Sequence, residues 1–478
     1  MKAKLFALVI VVAILFSALG FDNARAGAYA TEFTTSVTYM NVGSATTTTL
    51  KLYFYADQAD VTPTSYSLNP LAVNAAGSVF IGSLADDVVA DGFQGSAYLE
   101  SDQMMQVTLV QVPQNSTTVK NRALSNGFIS GGSTALVATV LKNMYDYNTI
   151  FSVQNADSVL NNVTIDFINT SAVTVHSITT PIAPGAAFYV DAYLIPELGT
   201  SFNGSVVATA ERADTTAGKI VASSMELAIV GTGVYSFEGV ETGALQLFMP
   251  SYLCAKYGAD SSYAVQNTSM TTSTNVTVTY TDTLNNVYTQ TQAIGPGAKK
   301  SFIACTVAPA NTYGAAVVVS DTTPVVAIGK VYGSGFSTAF SGVATGSQEM
   351  ALPYVRWATD ANYAAGLGQR TFITIQNLGA TLTETTEIDV EYWDYTGTLA
   401  GTHTFVVPAG GLVTGAKFNS TAANAGLTEF GIYGSIYGGA VIIRGPAGSE
   451  LAAVARVQTY VVSTGLYVGE DYNSQPIR

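Results

Sequence analysis

"YAVQNTSMTTSTNVTVTYTD", Tyr263–Asp282, carries the pattern that decides the fold. Counting back from Asn267 in steps of two gives Val265 and Tyr263, one apolar face of a β-strand. A run of Ser and Thr follows. A second alternating segment then sets Val276, Val278 and Tyr280 on one face and threonines on the other. One face buried and one wet is the mark of an antiparallel sheet. Asn267 stands where the first strand stops. Asn tolerates left-handed backbone angles and can hydrogen-bond its own turn, so it reads as a turn residue.

The pattern recurs. Ser36–Asp57 reads "SVTYMNVGSATTTTLKLYFYAD", Ile150–Asn169 "IFSVQNADSVLNNVTIDFIN", and Phe372–Asp394 "FITIQNLGATLTETTEIDVEYWD". The marker asparagines are Asn41, Asn155, Asn267 and Asn377, at intervals of 114, 112 and 110 residues. That is the length of a small domain rather than of a solenoid unit. Other landmarks keep the order. A turn follows at Pro184-Gly185, Pro296-Gly297 and Pro408 with Gly410-Gly411, while the first repeat has only Gly77. Next, Gly95-Ser96, Gly204-Ser205, Gly314-Ala315 and Gly438-Gly439 open an apolar strand.

Short alternating strands punctuated by turns, about seven per repeat, predict an all-β chain of four tandem Ig-like antiparallel β-sandwiches. The expected boundaries are 27–125, 126–236, 237–339 and 340–478, the last with insertions such as "DANYAAGLGQR" from Asp360. The connectors are short and not Pro- or Ser-rich, which predicts a semi-rigid rod. The first repeat has a shortened first strand, with "AYATEF" (Ala28–Phe33) expected as a short edge strand. The alternative is an edge open to a strand from another chain.

Residues 1–26 read as a secretory signal peptide. Lys2 and Lys4 precede an apolar run from Leu5 to Leu19, and Ala24-Arg25-Ala26 supplies the cleavage site. Export would place the chain outside the cell or on its surface. No membrane span is expected after cleavage, because no later stretch is long and apolar enough. The chain has 33 acidic and 19 basic residues, a formal charge of −14. Nucleic acid is excluded as a partner, since it needs a basic face. Only 11% of residues are charged, and Thr, Val and Tyr take their place, as suits pleated surfaces. Cys254 and Cys305 fall in one repeat. A disulfide there closes a loop of about 51 residues, worth about 4 kcal/mol in the chain-entropy model. Two buried free thiols are the other reading.

The repeat resembles secreted bacterial cell-surface proteins built of tandem Ig-like units. The pieces that carry the resemblance are "MALPYV", "SVQN" and "AVQN", "NVTVTYTD", "IGPGA", "GFQGSAY" and "SFNGSVV". They run through nearly all of the chain after residue 26. The resemblance implies an extracellular structural role and brings no catalytic residues.

Residue types give little chemistry. His176 and His403, the two histidines, lie in different repeats and read as exposed strand positions. No G-x-S-x-G, H-E-x-x-H or C-x-x-C occurs. No cofactor and no enzyme activity are expected. Asp389, Glu391 and Asp394 form the best acidic cluster, a solvated patch with a weak claim to Ca²⁺. Sequons at Asn115, Asn162, Asn169, Asn203, Asn267, Asn275 and Asn419 are candidate glycosylation sites. Trp357 and Trp393 are candidate binding aromatics. The expectation is a non-enzymatic surface or matrix protein, a filament, surface-layer or stalk subunit. Its partners would be copies of itself or other surface proteins. The alternative is a secreted module that binds carbohydrate or another ligand.

Overall fold

The computed structural model describes residues 27–114, 116, 119–333, 336–358, 368–431, 439–461 and 466–477. The expected signal peptide, Asn115, Gly438 and most of the Asp360 insertion lie outside the described residues. Those described form strands, short 3-10 turns and loops, with no α-helix among them. None of their helical segments is long and apolar enough to cross a membrane.

The first repeat holds β1 (Phe33–Asn41), β2 (Leu50–Tyr55), β3 (Thr64–Ser67), β4 (Ala76–Phe80), β5 (Ser96–Ser101), β6 (Met105–Pro113) and β7 (Ala123–Asn126). One sheet has the order β4-β1-β6-β7 and the other β3-β2-β5. Val37 and Tyr39 of the first meet Leu50, Leu52 and Phe54 of the second. These are the residues that the period of two places inward.

The second repeat adds β8 (Thr134–Lys142), β9 (Tyr147–Asn155), β10 (Asn161–Asn169), β11 (Thr174–Ile182), β12 (Ala187–Asp191), β13 (Phe202–Arg212), β14 (Ile220–Ala228) and β15 (Val234–Glu238). Its sheets are β12-β9-β14-β15 and β11-β10-β13-β8. The third runs through β16 (Gln246–Cys254), β17 (Ala259–Asn267), β18 (Thr274–Asp282), β19 (Val287–Ile294), β20 (Lys299–Ile303), β21 (Thr312–Ser320), β22 (Val325–Gly333) and β23 (Phe336–Ser341). It pairs β20-β17-β22-β23 and β16-β21-β18-β19. The fourth comprises β24 (Glu349–Leu352), β25 (Trp357–Ala358), β26 (Gln369–Asn377), β27 (Glu387–Asp394), β28 (Leu399–Val406), β29 (Lys417–Ser420), β30 (Gly439–Arg444), β31 (Leu451–Val461), β32 (Leu466–Asn473) and β33 (Gln475–Pro476). One of its sheets is β28-β27-β30-β24-β33; the other, β25-β26-β31-β32, carries β29 beside β26 and joins the third repeat's sheet through a parallel pairing of β32 with β23.

Three details depart from expectation. Strands β7, β15 and β23 run one to two residues past the boundaries set at 125, 236 and 339, so those cuts fall inside strands. The segment Ala28–Phe33 is not an edge strand on β5. Ala28–Ala30 wind into a 3-10 turn, Phe33 begins β1, and among the described residues β5 has no outer neighbour. The third departure is the largest, because the repeats do not form a rod. Strand β7 packs against β15, β15 against β23, β23 against β32, and β32 back against β7. These four strands, one near the end of each repeat, thus meet at one axis, and the chain closes head to tail into a ring. Asn121 even reaches across it, from the first repeat to Ser337 Oγ of the third at 3.0 Å.

Candidate functional site

The marker asparagines are buried clamps. All four are 0% exposed. Asn155 Nδ2 donates to Val159 O at 2.8 Å and to Ile182 O at 2.8 Å, and its Oδ1 accepts from Asp157 N. Asn41 does the same with Ala45 O and Leu71 O, and Asn377 with Ala380 O and Leu412 O. Asn267 donates to Thr272 O at 2.7 Å and accepts from Thr323 Oγ1 at 2.7 Å. In each repeat the amide ties its own loop to a segment that belongs with the opposite sheet. None of the four has a positive φ. Their hydrogen bonds, and not left-handed angles, explain the residue type.

The residue before the marker works at a seam between repeats in the first three cases, while Gln376 Nε2 donates within its own repeat, to Gly415 O at 2.9 Å. Gln154 Nε2 donates to Ala97 O at 3.2 Å and to Gly185 O at 2.8 Å. Gln266 Nε2 makes the matching bonds to Val206 O and Gly297 O. The Ser of each Gly-Ser pair answers: Ser96 Oγ donates to Gly185 O and Ser205 Oγ to Gly297 O, both at 2.7 Å. Three landmarks of the repeat thus build the same joint twice. At the third seam Ala315 stands in place of that Ser, and Phe248, Leu378 and Ala452 form an apolar contact instead. At the closing seam Met40 takes the place of Gln. It packs with Val42 and Ala76 against Ala351, Ala440, Ile442 and Ile477, with Trp393 beside them.

Two ion pairs cross the joints. Lys330 pairs with Glu226 between the second and third repeats. Lys299 lies beside them, 3% exposed, with Nζ 3.3 Å from Thr139 Oγ1. Burial pushes its ammonium down to about 7; Lys330 adds to the shift and Glu226 opposes it. At the closing seam Arg122 meets Glu470 at 3.4 Å. Gln106 Nε2 donates to Pro476 O at 2.7 Å, and Gln475 Nε2 to Val107 O at 2.9 Å. On the axis, Asn126 N donates to Glu238 Oε1, Ser341 Oγ to Glu238 Oε2, and Asn473 Nδ2 to Ser341 O. Burial pushes the Glu238 carboxyl up.

The other sequence candidates are dispersed. Cys254 and Cys305 form a disulfide with Cα atoms 5.0 Å apart. Asp389 accepts from Thr404, Glu391 from Arg444 and from Trp393 Nε1, and Asp394 caps its own turn through Thr396 N and Thr398 N. These three carboxylates do not converge. Among the described residues, the one group of three ligand atoms within metal reach is Cys254, Asp260 and Cys305, where the two sulfurs are bonded to each other. Trp393 faces the closing seam rather than open solvent. Trp357 meets Phe372 edge-on, with Arg370 over its ring. Asn162, Asn275 and Asn419 are exposed, Asn169 and Asn203 half-buried. A glycan on Asn267 is incompatible with its buried amide bonds.

Both histidines face inward and not outward. His176 lies opposite Phe167 and His403 opposite Val390, each a core residue. His403 Nδ1 is 2.8 Å from Ser420 Oγ, and burial lowers its pKa. A depression of about 310 Å³ between the second and third repeats offers one carboxylate, Glu241, beside Leu136, Thr268 and Pro324, with no His, Cys, Lys or Arg in its lining. Sequence reasoning missed the seams. Their signal was the recurrence of Gln before the marker and Ser after Gly, which reads as punctuation until the repeats are seen to touch.

No protein-family model matches the sequence, and comparison with curated proteins returns no match.

Proposed function

We propose that the chain is an exported structural subunit of a cell surface or extracellular matrix, acting through protein–protein contacts and catalysing no reaction. One observation carries the reading. Strands β11, β19 and β28 hold equivalent outer edges in repeats two, three and four. Each is eight or nine residues long, and none contains Lys, Arg, Asp or Glu. Proteins that stay single usually blunt such edges with charge, Pro, bulges or cover. Strand β11 carries Pro181 and a bulge interrupts its pairing, as one does for β28, but β19 pairs with β18 without a break. A long, uncharged, Thr-rich edge such as β19 is a ready template for pairing with copies of the chain or with other surface proteins. Head-to-tail edge contacts that do not close propagate into filaments or layers. The signal-like residues 1–26 and the resemblance to tandem-repeat surface proteins support the same setting.

Electron microscopy of native surface material tests this. Ordered polymers are expected, and Thr289→Lys with Thr291→Lys on β19 should disperse them. A strictly monomeric protein at all concentrations, absent from surface fractions, would sink the reading.

A further inference from the structure

Among the described residues, the first repeat lacks a strand that the others have. Strand β8 pairs with β13, β16 with β21 and β24 with β30, and each closes one side of its core. The counterpart of β13 in the first repeat is β5, which has β2 on one side and no strand on the other. The consequence is visible in burial. The inward residues of β13, Val206, Ala208 and Ala210, are 0%, 0% and 6% exposed. Their counterparts on β5 are Ala97, Leu99 and Ser101. Ala97 is exposed and the other two are half-buried.

Strand β6 tells the same story from the opposite sheet. Its core-facing Met105, Val107 and Leu109 are half-buried, while the outward Gln106, Thr108 and Val110 are 0%, 0% and 3% exposed. In β14 the matching core-facing residues, Ile220, Ala222 and Ser224, are each 1% exposed. The core of the first repeat is therefore a slot, open along β5. Ala28 does not fill it; it packs on Leu227 and Ala228 of the second repeat.

We propose that this slot accepts an extended segment of about nine residues from a different exported chain, added antiparallel to β5. The proposal rests on the assembly role above. The other repeats state the chemistry of the occupant. Strand β8, "TALVATVLK", sets Val137, Leu136, Ala135 and Thr134 opposite Val206, Val207, Ala208 and Thr209. Translated to β5, an incoming strand lies opposite Ala97, Tyr98, Leu99 and Glu100. It would present small or branched apolar side chains to Leu99, Val107 and Leu109. A second copy is a poor donor. The inward residues of its edge strands are already committed to their own sheets' cores. Among its described residues, Gln475–Pro476 is paired with β24 and Ile477 is buried. The donor is a free apolar segment at the end of another chain.

The test uses the full mature chain and the synthetic peptide TALVATVLK, with a scrambled peptide as control. Expected are saturable binding, a raised melting temperature, and amide exchange at Leu99 and Ser101, whose N–H groups point away from β2, slowed by at least about tenfold. Placing residues 134–146, the strand and its turn, directly ahead of Phe33 should abolish peptide binding by filling the slot from within. Three results overturn the proposal. One is β5 amides as protected without peptide as those of β13. Another is self-assembly of the purified chain that the graft abolishes, which assigns the slot to a second copy. The third is native protein whose N terminus lies before Gly27 with β5 already protected, which assigns it to the chain's own leader. Peptide binding is read on purified protein, so its failure is separate from the failure to find polymers on the native surface.

Discussion

Asn155 shows what a marker residue does. Its amide has two carbonyl partners and its Oδ1 accepts from Asp157 N and from Asn161 Nδ2, all without solvent contact. Asn155→Ala leaves buried groups unpaired, and the expected cost is about 2–4 kcal/mol, read from urea unfolding. Asn155→Asp should rescue little, because a carboxylate cannot donate to Val159 O and Ile182 O. Lys299 poses the opposite case. Its folded pKa is about 7 against the ordinary lysine value of 10.5. Between those values the unfolded state binds a proton that the folded state lacks, so stability rises with pH across that window. Below it both states carry the proton and the penalty is constant. Lys299→Met should therefore stabilise the protein at pH 7 by roughly 1–4 kcal/mol, since Lys330 still pairs with Glu226. It should also flatten the rise in stability from pH 7 to 10 by about one proton. Thermal melts across that range check both.

Elements were more legible than joints. The period of two placed Val163, Ile165 and Phe167 inward, and all three are 0% exposed. Local alternation suffices there, because a one-residue slip would turn every apolar side chain to water. It failed for His403, which sits among threonines on an edge strand yet faces Val390 and Ser420. Polar residues are tolerated on the inner face of an edge, where the core is thin, so pattern alone cannot assign the side. The Gly-Ser strands were located, but their partners lie about 90 residues away in the next repeat. Ser205→Ala removes the bond to Gly297 O and leaves Gln266 to hold the joint. The expected loss is about 1 kcal/mol, without change in the β-sheet signal by circular dichroism. Ala315 already shows that one seam does without this serine.

The ring is a property of the whole chain. Short connectors suggested a rod, yet connectors constrain only neighbours. Closure depends on Met40, Gln106 and Arg122 meeting Ala440, Pro476 and Glu470, contacts between opposite ends of the sequence that no local pattern encodes. The closing seam also differs in one part: Met40 replaces the glutamine that hydrogen-bonds at the first two seams, so an apolar patch sits beside this joint's ion pair and hydrogen bonds. The apolar patch is sensitive to charge, because a carboxylate there has no partner to offset its lost hydration. Met40→Asp should part the first repeat from the fourth, while the clamps and cores within each repeat persist. A closed particle of this length has a radius of gyration of about 22 Å, and four such units in line roughly 40 Å. Small-angle scattering should find the parent near the first value and Met40→Asp well above it, with Met40→Leu unchanged. A parent already near the second value would mean the ring does not hold in solution. A variant as compact as the parent would mean that the Arg122–Glu470 pair and the Gln106 and Gln475 bonds close it without the apolar patch.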